Sequence, residues 1–119
     1  MSCDAFMSVG ALRPQPMTRV PFAWTNFKQV PEKSGCYVLT NFVGQVLYVG
    51  QATSSIRDRF CVHLETREKR VAGPLGIPYW CYFLLHDKEK LSLVEQGWIN
   101  QSILSTGARP PLNKIDAPV

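Results

Sequence analysis

The sequence has no apolar run of the roughly 18 residues that a membrane helix needs, so no membrane span is predicted. Its four cysteines, at positions 3, 36, 61 and 81, form no C-x-x-C pair. Its two histidines, His63 and His86, stand far apart and at no zinc-ligand spacing from a cysteine pair. A structural zinc site is therefore not expected, and reduced, buried thiols are. That usage fits a cytoplasmic location. No Lys or Arg precedes the weakly apolar N-terminal stretch, so no signal peptide is predicted. There is no internal repeat and no low-complexity tract. The Ser or Cys, His and acid arrangement of acyl-transfer chemistry is missing as well.

What is present fits one domain. The chain has 119 residues, 45% of them hydrophobic, enough for one core without disulfides. Its net charge of +4 permits a polyanionic partner without demanding one. Residues 1–30 read as a leader, partly extended, with a short helix in "PFAWTNFKQV" that lays Phe22, Trp24 and Phe27 on the core. Residues 31–119 read as the functional domain. A hairpin is predicted with strands at 36–41 and 45–49. A helix follows, capped by Thr53 or Ser54, with Ile56, Phe60 and Leu64 recurring at i, i+4 and i+8. "VAGPLGIP" is a loop. "YWCYFLL", 79–85, suits a central strand buried on both faces. A second helix runs from an Asp87 N-cap to a Gly107 stop, before a Pro-rich extended tail. The fold class is α/β of the α+β kind: a small, mostly antiparallel sheet with helices packed on it.

Several residues break this pattern. On a helical wheel with Leu91 at zero, Glu95 falls at about +40°, between Trp98 at about −20° and Ile99 at about +80°. A carboxylate on that inner face costs several kcal/mol unless it meets a cation, a metal or hydrogen-bond donors. The bland alternatives are a side chain reaching the rim or a structural pair with an arginine. On the first helix, Arg59 and His63 are i, i+4 neighbours flanking the apolar stripe. In the hairpin, alternation places Tyr37 with Leu39 on one face, and Val46 with Tyr48 on one face. A carboxylate holds a divalent cation, a guanidinium stabilises phosphate charge, and a phenol or imidazole moves a proton. Together these groups point to phosphate chemistry.

At these residues the chain resembles the GIY-YIG nuclease family, which includes homing endonucleases and the N-terminal nuclease domain of the bacterial excinuclease. "GCY", Gly35 to Tyr37, matches the first motif with Cys36 in place of Ile or Val. "YVG", Tyr48 to Gly50, matches the second after ten intervening residues. "SSIRDRFCVHL" resembles the family's first helix, with Arg59 at the catalytic arginine. Arg57 is its rival, because the linker from Gly50 is one residue longer than in excinuclease-type members. "LVEQGWI" resembles the segment carrying the metal-binding Glu, and "RPPLN" the segment ending in Asn113. Gln51 departs from the Lys or Ser that many members carry.

The resemblance implies a three-stranded antiparallel sheet flanked by helices, and hydrolysis on one divalent cation, normally Mg²⁺, with Mn²⁺ able to substitute. It implies Glu95 as metal ligand, Tyr37 as proton acceptor directly or through Tyr48, and Arg59 as phosphate stabiliser. His63 would assist the proton relay or hold a phosphate, and Asn113 would orient the site. Gly35 and Gly50 would allow close backbone turns. Arg57, Arg67, Lys69, Arg70 and Lys114 are the candidate substrate-binding residues. The implied partner is DNA, double-stranded or branched, with a homodimer or a targeting partner supplying specificity. The competing reading is a nucleic-acid-binding or inhibitory module that keeps the fold without turnover; it leaves an inward Glu95 unused.

Overall fold

A computed structural model describes residues 7–66, 69, 73 and 75–113. Its centre is a four-stranded antiparallel sheet in the order β1-β4-β2-β3, built from β1 (Thr18–Pro21), β2 (Gly35–Thr40), β3 (Val46–Ala52) and β4 (Trp80–Leu85). Helices α1 (Ile56–Glu65) and α2 (Leu91–Thr106) complete it. No helix among the described residues is long and apolar enough to cross a membrane.

The hairpin forms where its composition predicts. Strand β2 is buried at every position because it lies between β3 and β4 and is covered on both faces. Tyr37 and Leu39 join Ile56, Phe60 and Leu64 in a core on the α1 side of the sheet. Val38 joins Leu91, Val94, Trp98 and Ile99 in a second core on the α2 side. "YWCYFLL" supplies the central strand β4, but it is not buried on both faces: Cys81 and Phe83 are buried in the first core, while Trp80, Tyr82 and Leu84 on the other face are only half-buried, Tyr82 and Leu84 lying against the second core.

Several expectations are corrected. The sheet has four strands, because the leader contributes β1 at the edge of β4. Leader residues Met7, Val9 and Leu12 are buried in the α2-side core. They are pinned there by Trp98, whose Nε1 donates to the Pro14 carbonyl at 2.9 Å. Gln101 adds a two-point amide clamp on the Arg13 backbone, at 2.8 and 2.6 Å. The segment Trp24–Gln29 is a 3-10 helix with Trp24 turned to solvent, while Phe22 and Phe27 pack on the α1-side core. Val46 and Tyr48 sit on opposite faces. A β-bulge lets Leu39 face Tyr48 but Thr40 face Val46, so Leu47 is an extra residue that breaks the period of two.

The caps also differ by a residue or by chemistry. Ser55, not Thr53 or Ser54, caps α1 by accepting from the Asp58 amide at 3.2 Å. Asp87 serves through its backbone carbonyl, which accepts from Lys90 and starts the 3-10 turn leading into α2. Gly107 ends α2 as expected.

Gly35 stands where a side chain cannot. A Cβ there would overlap the Leu84 carbonyl oxygen and lie 2.7 Å from Ile56 Cδ1. Overpacking of this kind costs about 1–3 kcal/mol. Gly35→Ala is therefore expected to lower the unfolding free energy by about that amount in chemical denaturation, with no change in far-ultraviolet circular dichroism at neutral pH.

Candidate active site

The β2–β3 register sets the site. Tyr37 faces Gly50 across the ladder, and Leu39 faces Tyr48. Both phenols therefore project to the α1 side. Gly50 makes room for them: a Cβ there would stand 2.5 Å from Tyr37 Cζ and Oη and 2.9 Å from Tyr48 Cε2. The glycine of "YVG" is thus the floor under two rings whose centroids are 6.2 Å apart.

Helix α1 supplies the opposing wall. His63 is 3% exposed, with its ring 5.4 Å from that of Tyr37 and 4.9 Å from that of Tyr48. Its Nε2 lies 2.6 Å from Tyr37 Oη, while its buried Nδ1 has no hydrogen-bond partner. Arg59, one turn earlier, sits beside both phenol oxygens and reaches solvent. Lys69 Nζ lies over the Tyr48 ring, 4.5 Å from its centroid.

These surroundings set the protonation states. Burial pushes Tyr37 far above the ordinary phenol range; Tyr48 adds to the rise and Arg59 opposes it. Tyr48 is also raised, chiefly by burial, with Arg59 again opposing and Glu95 reinforcing. Burial, then the charges of Lys69 and Arg59, lower His63 to about 3. At neutral pH the cluster holds two neutral phenols, a neutral imidazole and a permanent cation.

Glu95 approaches from the other side of β3. Its half-buried carboxylate accepts at Oε1 from Gln51 Nε2 at 3.0 Å, and Gln51 also lies 3.5 Å from Ser92 Oγ. Burial raises the Glu95 pKa and the Gln51 amide opposes the rise. The one ion pair among the described residues is Arg57–Glu32, so the sequence alternative of an arginine partner for Glu95 is not realised. No group of three His, Cys, Asp or Glu side chains gathers among the described residues. A lone, partly desolvated carboxylate fits a hard divalent cation that keeps water and phosphate oxygens as its other ligands.

Asn113 acts on the backbone. Its Oδ1 accepts from the Val49 amide at 2.7 Å and its Nδ2 donates to the Val49 carbonyl at 2.8 Å. The Leu112 amide donates to the Leu47 carbonyl at 2.8 Å. The tail thereby pairs with the free edge of β3 on both sides of Tyr48. Arg57 is not in the cluster. Its Nε, NH1 and NH2 bind the Val30 carbonyl, Glu32 and the Lys28 carbonyl at 2.8, 3.2 and 3.1 Å, tying α1 to the segment before β2. Of the two arginines, Arg59 is the one that lies beside the phenols. Arg67, Arg70 and Lys114 lie outside the described residues. The Gln51–Glu95 contact has no signal in the sequence, where Gln51 stands out only as a departure.

Two solved structures share this architecture. Both are of the GIY-YIG N-terminal endonuclease domain of UvrC from Thermotoga maritima, each a tyrosine-to-phenylalanine point mutant bound to the catalytic divalent cation. Each superposes with a TM-score of 0.55, covering 76% of this chain and 92% of that domain. The chain has the GIY-YIG fold. Sequence identity to the two is 18% and 17%. No protein-family model matches the chain, and no curated protein matches it either. In this chain the fourth strand is β1, at the edge farthest from the site.

The buried His63 makes stability depend on pH. Its folded pKa is about 3 against an ordinary value of 6.5, so the native state favours the neutral ring. Its contribution is whole above about pH 6.5 and is lost as pH falls toward about 3. The stability gap between wild type and His63→Gln is therefore expected to narrow by about 2 kcal/mol between pH 7 and pH 5 in urea titrations. A constant gap would refute the neutral, buried imidazole.

Proposed function

We propose that this GIY-YIG domain is a metal-dependent endonuclease that hydrolyses DNA phosphodiester bonds. The observation that carries the reading is the 2.6 Å Tyr37–His63 contact, with Arg59 and Tyr48 beside it and the lone half-buried Glu95 across β3. A binding module has no use for a chain of proton donors and acceptors beside a half-buried carboxylate that no cation among the described residues pairs with.

Glu95 would hold the divalent cation, most readily Mg²⁺, with Gln51 fixing its carboxylate. When bound, that ion supplies Lewis-acid stabilisation of the phosphate and the leaving oxygen. Tyr37 is too strongly protonated to wait as a phenolate. It can accept a proton from the attacking water only as its own proton leaves. His63 Nε2 is the adjacent acceptor, which requires the tautomer with hydrogen on Nδ1. Water then forms the new P–O bond while its proton moves to Tyr37 Oη and the Tyr37 proton moves to His63. The old P–O bond breaks, and solvent protonates the leaving oxygen. The incoming phosphate's negative charge raises the basicity of His63 by offsetting Arg59 and Lys69. Arg59 stabilises the charge that builds on the non-bridging oxygens. Asn113 holds β3, and with it Tyr48 and Gly50, in register. The exposed Arg59, Lys69 and the net charge of +4 favour a polyanionic substrate.

Incubating plasmid, branched and single-stranded DNA with Mg²⁺ or Mn²⁺ tests this reading. Wild type is expected to cleave at least one of them. Glu95→Gln should abolish metal-dependent cleavage, and Arg59→Ala should slow it by about 10²–10³-fold. DNA binding without cleavage under every condition would replace the nuclease with a binding module.

A further inference from the structure

The sheet is covered unevenly on its α2 side. Helix α2 packs on β3 and β2. Toward β1 and β4 the same face carries Arg19, Trp80 and Tyr82, which the strand alternation turns together. The Arg19 guanidinium stacks on Trp80 at 3.8 Å from the ring and bonds Tyr82 Oη at 3.1 Å. The aromatic surface continues around the hairpin end. Trp80 meets Tyr79 edge-on at 4.9 Å, and Tyr79 meets Phe42 edge-on at 5.0 Å. Phe42 is 66% exposed, Val43 73%, Ile77 50% and Tyr79 44%.

Beside this strip is a cavity of about 380 Å³, lined by Phe42, Val43, Leu75, Ile77 and Tyr79. Asn41 and Gln45 also line it, but the Asn41 amide is spent on Gln45 Oε1 at 2.6 Å and the Leu75 carbonyl at 2.7 Å, so the rest of the wall is mainly apolar. An exposed aromatic surface of this kind on a small protein marks a binding site. None of these residues belongs to the phenol–imidazole cluster.

We infer that this strip is a stacking site for unpaired nucleotides of single-stranded DNA. Bases present flat π faces to Phe42 and Tyr79, and the backbone presents phosphate to Arg19. Arg19 is matched by no carboxylate among the described residues. A polyanion satisfies that charge, whereas a purely apolar occupant would bury it. A duplex keeps its base faces stacked internally and has none to offer. The site would favour substrates with an unpaired strand. That choice of substrate rests on the proposed nuclease activity, while the binding does not.

The test is fluorescence anisotropy of a labelled oligo-dT of about 12 nucleotides, the length an exposed stacking groove holds. The full chain is used with EDTA, so that no turnover occurs, and a duplex of equal length is the comparison. Single strand is expected to bind more tightly than duplex. Phe42→Ala and Tyr79→Ala should each weaken single-strand binding about 10-fold or more and leave duplex binding unchanged. Phe42→Leu keeps apolar bulk without a ring face and should lose as much as Phe42→Ala. Arg19→Gln should reduce the slope of log affinity against log salt by about one. Equal binding of the two forms, or aromatic variants that bind like wild type, would overturn the site. So would variants that change only the sedimentation coefficient, which would make the strip a self-association surface. If cleavage fails but ring-dependent binding holds, the nuclease reading falls and this one stands; the reverse pair of results sinks this one alone.

Discussion

The hydrogen bond between Tyr37 and His63 joins strand β2 to helix α1 at a place almost closed to water, and the site's other features follow from it. The pair is short because nothing stands between the rings. Gly50 opposite Tyr37 has no side chain to lift the phenol away, and His63 sits two turns into a helix whose apolar stripe locks it down. Burial then dictates chemistry. It disfavours charge on the phenol and on the imidazole alike. Neither is poised as a free base or acid, and the two can exchange a proton only in concert. Arg59 and Lys69 lower the energy of negative charge in the same cluster.

The edge position of β3 is the second constraint. Residues of one strand serve two faces: Tyr48 and Gly50 turn to the phenol–imidazole cluster, and Gln51 turns to Glu95 on α2. The Glu95 carboxylate on one side of the strand is close enough to raise the pKa of Tyr48 on the other, and no fifth strand flanks β3 among the described residues. An open edge is also a liability for register and for aggregation. Asn113 and Leu112 occupy it with three hydrogen bonds to Val49 and Leu47. The tail thus does for β3 what a neighbouring strand would do, at the two residues that flank Tyr48.

Much of this was legible in the sequence, and the failures have physical causes. Tyr37 and Leu39 share a face because β2 is regular, and the inward pull on Glu95 follows from helical period alone. Arg59 and His63 meet the phenols because i and i+4 lie on one helix face. The bulge at Leu47 was hidden, since an extra residue is decided by pairing and leaves no mark in composition. Strand β1 was hidden for a related reason: four residues ending in a proline, "TRVP", make a strand only when β4 supplies their partners. The choice between Arg57 and Arg59 turned on contacts with Val30 and Lys28 carbonyls, which no spacing rule encodes. The partnership of Gln51 with Glu95 joins residues 44 positions apart and leaves no local pattern in the sequence.

The central claim is that His63 is a neutral acceptor for the Tyr37 proton. Nitrogen-15 NMR of the histidine rings in the full chain tests it most directly. The account predicts that His63 holds hydrogen on Nδ1, that its Nε2 shift is that of an unprotonated nitrogen accepting a hydrogen bond, and that the ring does not titrate from pH 8 to pH 5. Hydrogen found on Nε2, or a titration near the ordinary histidine value, would contradict it.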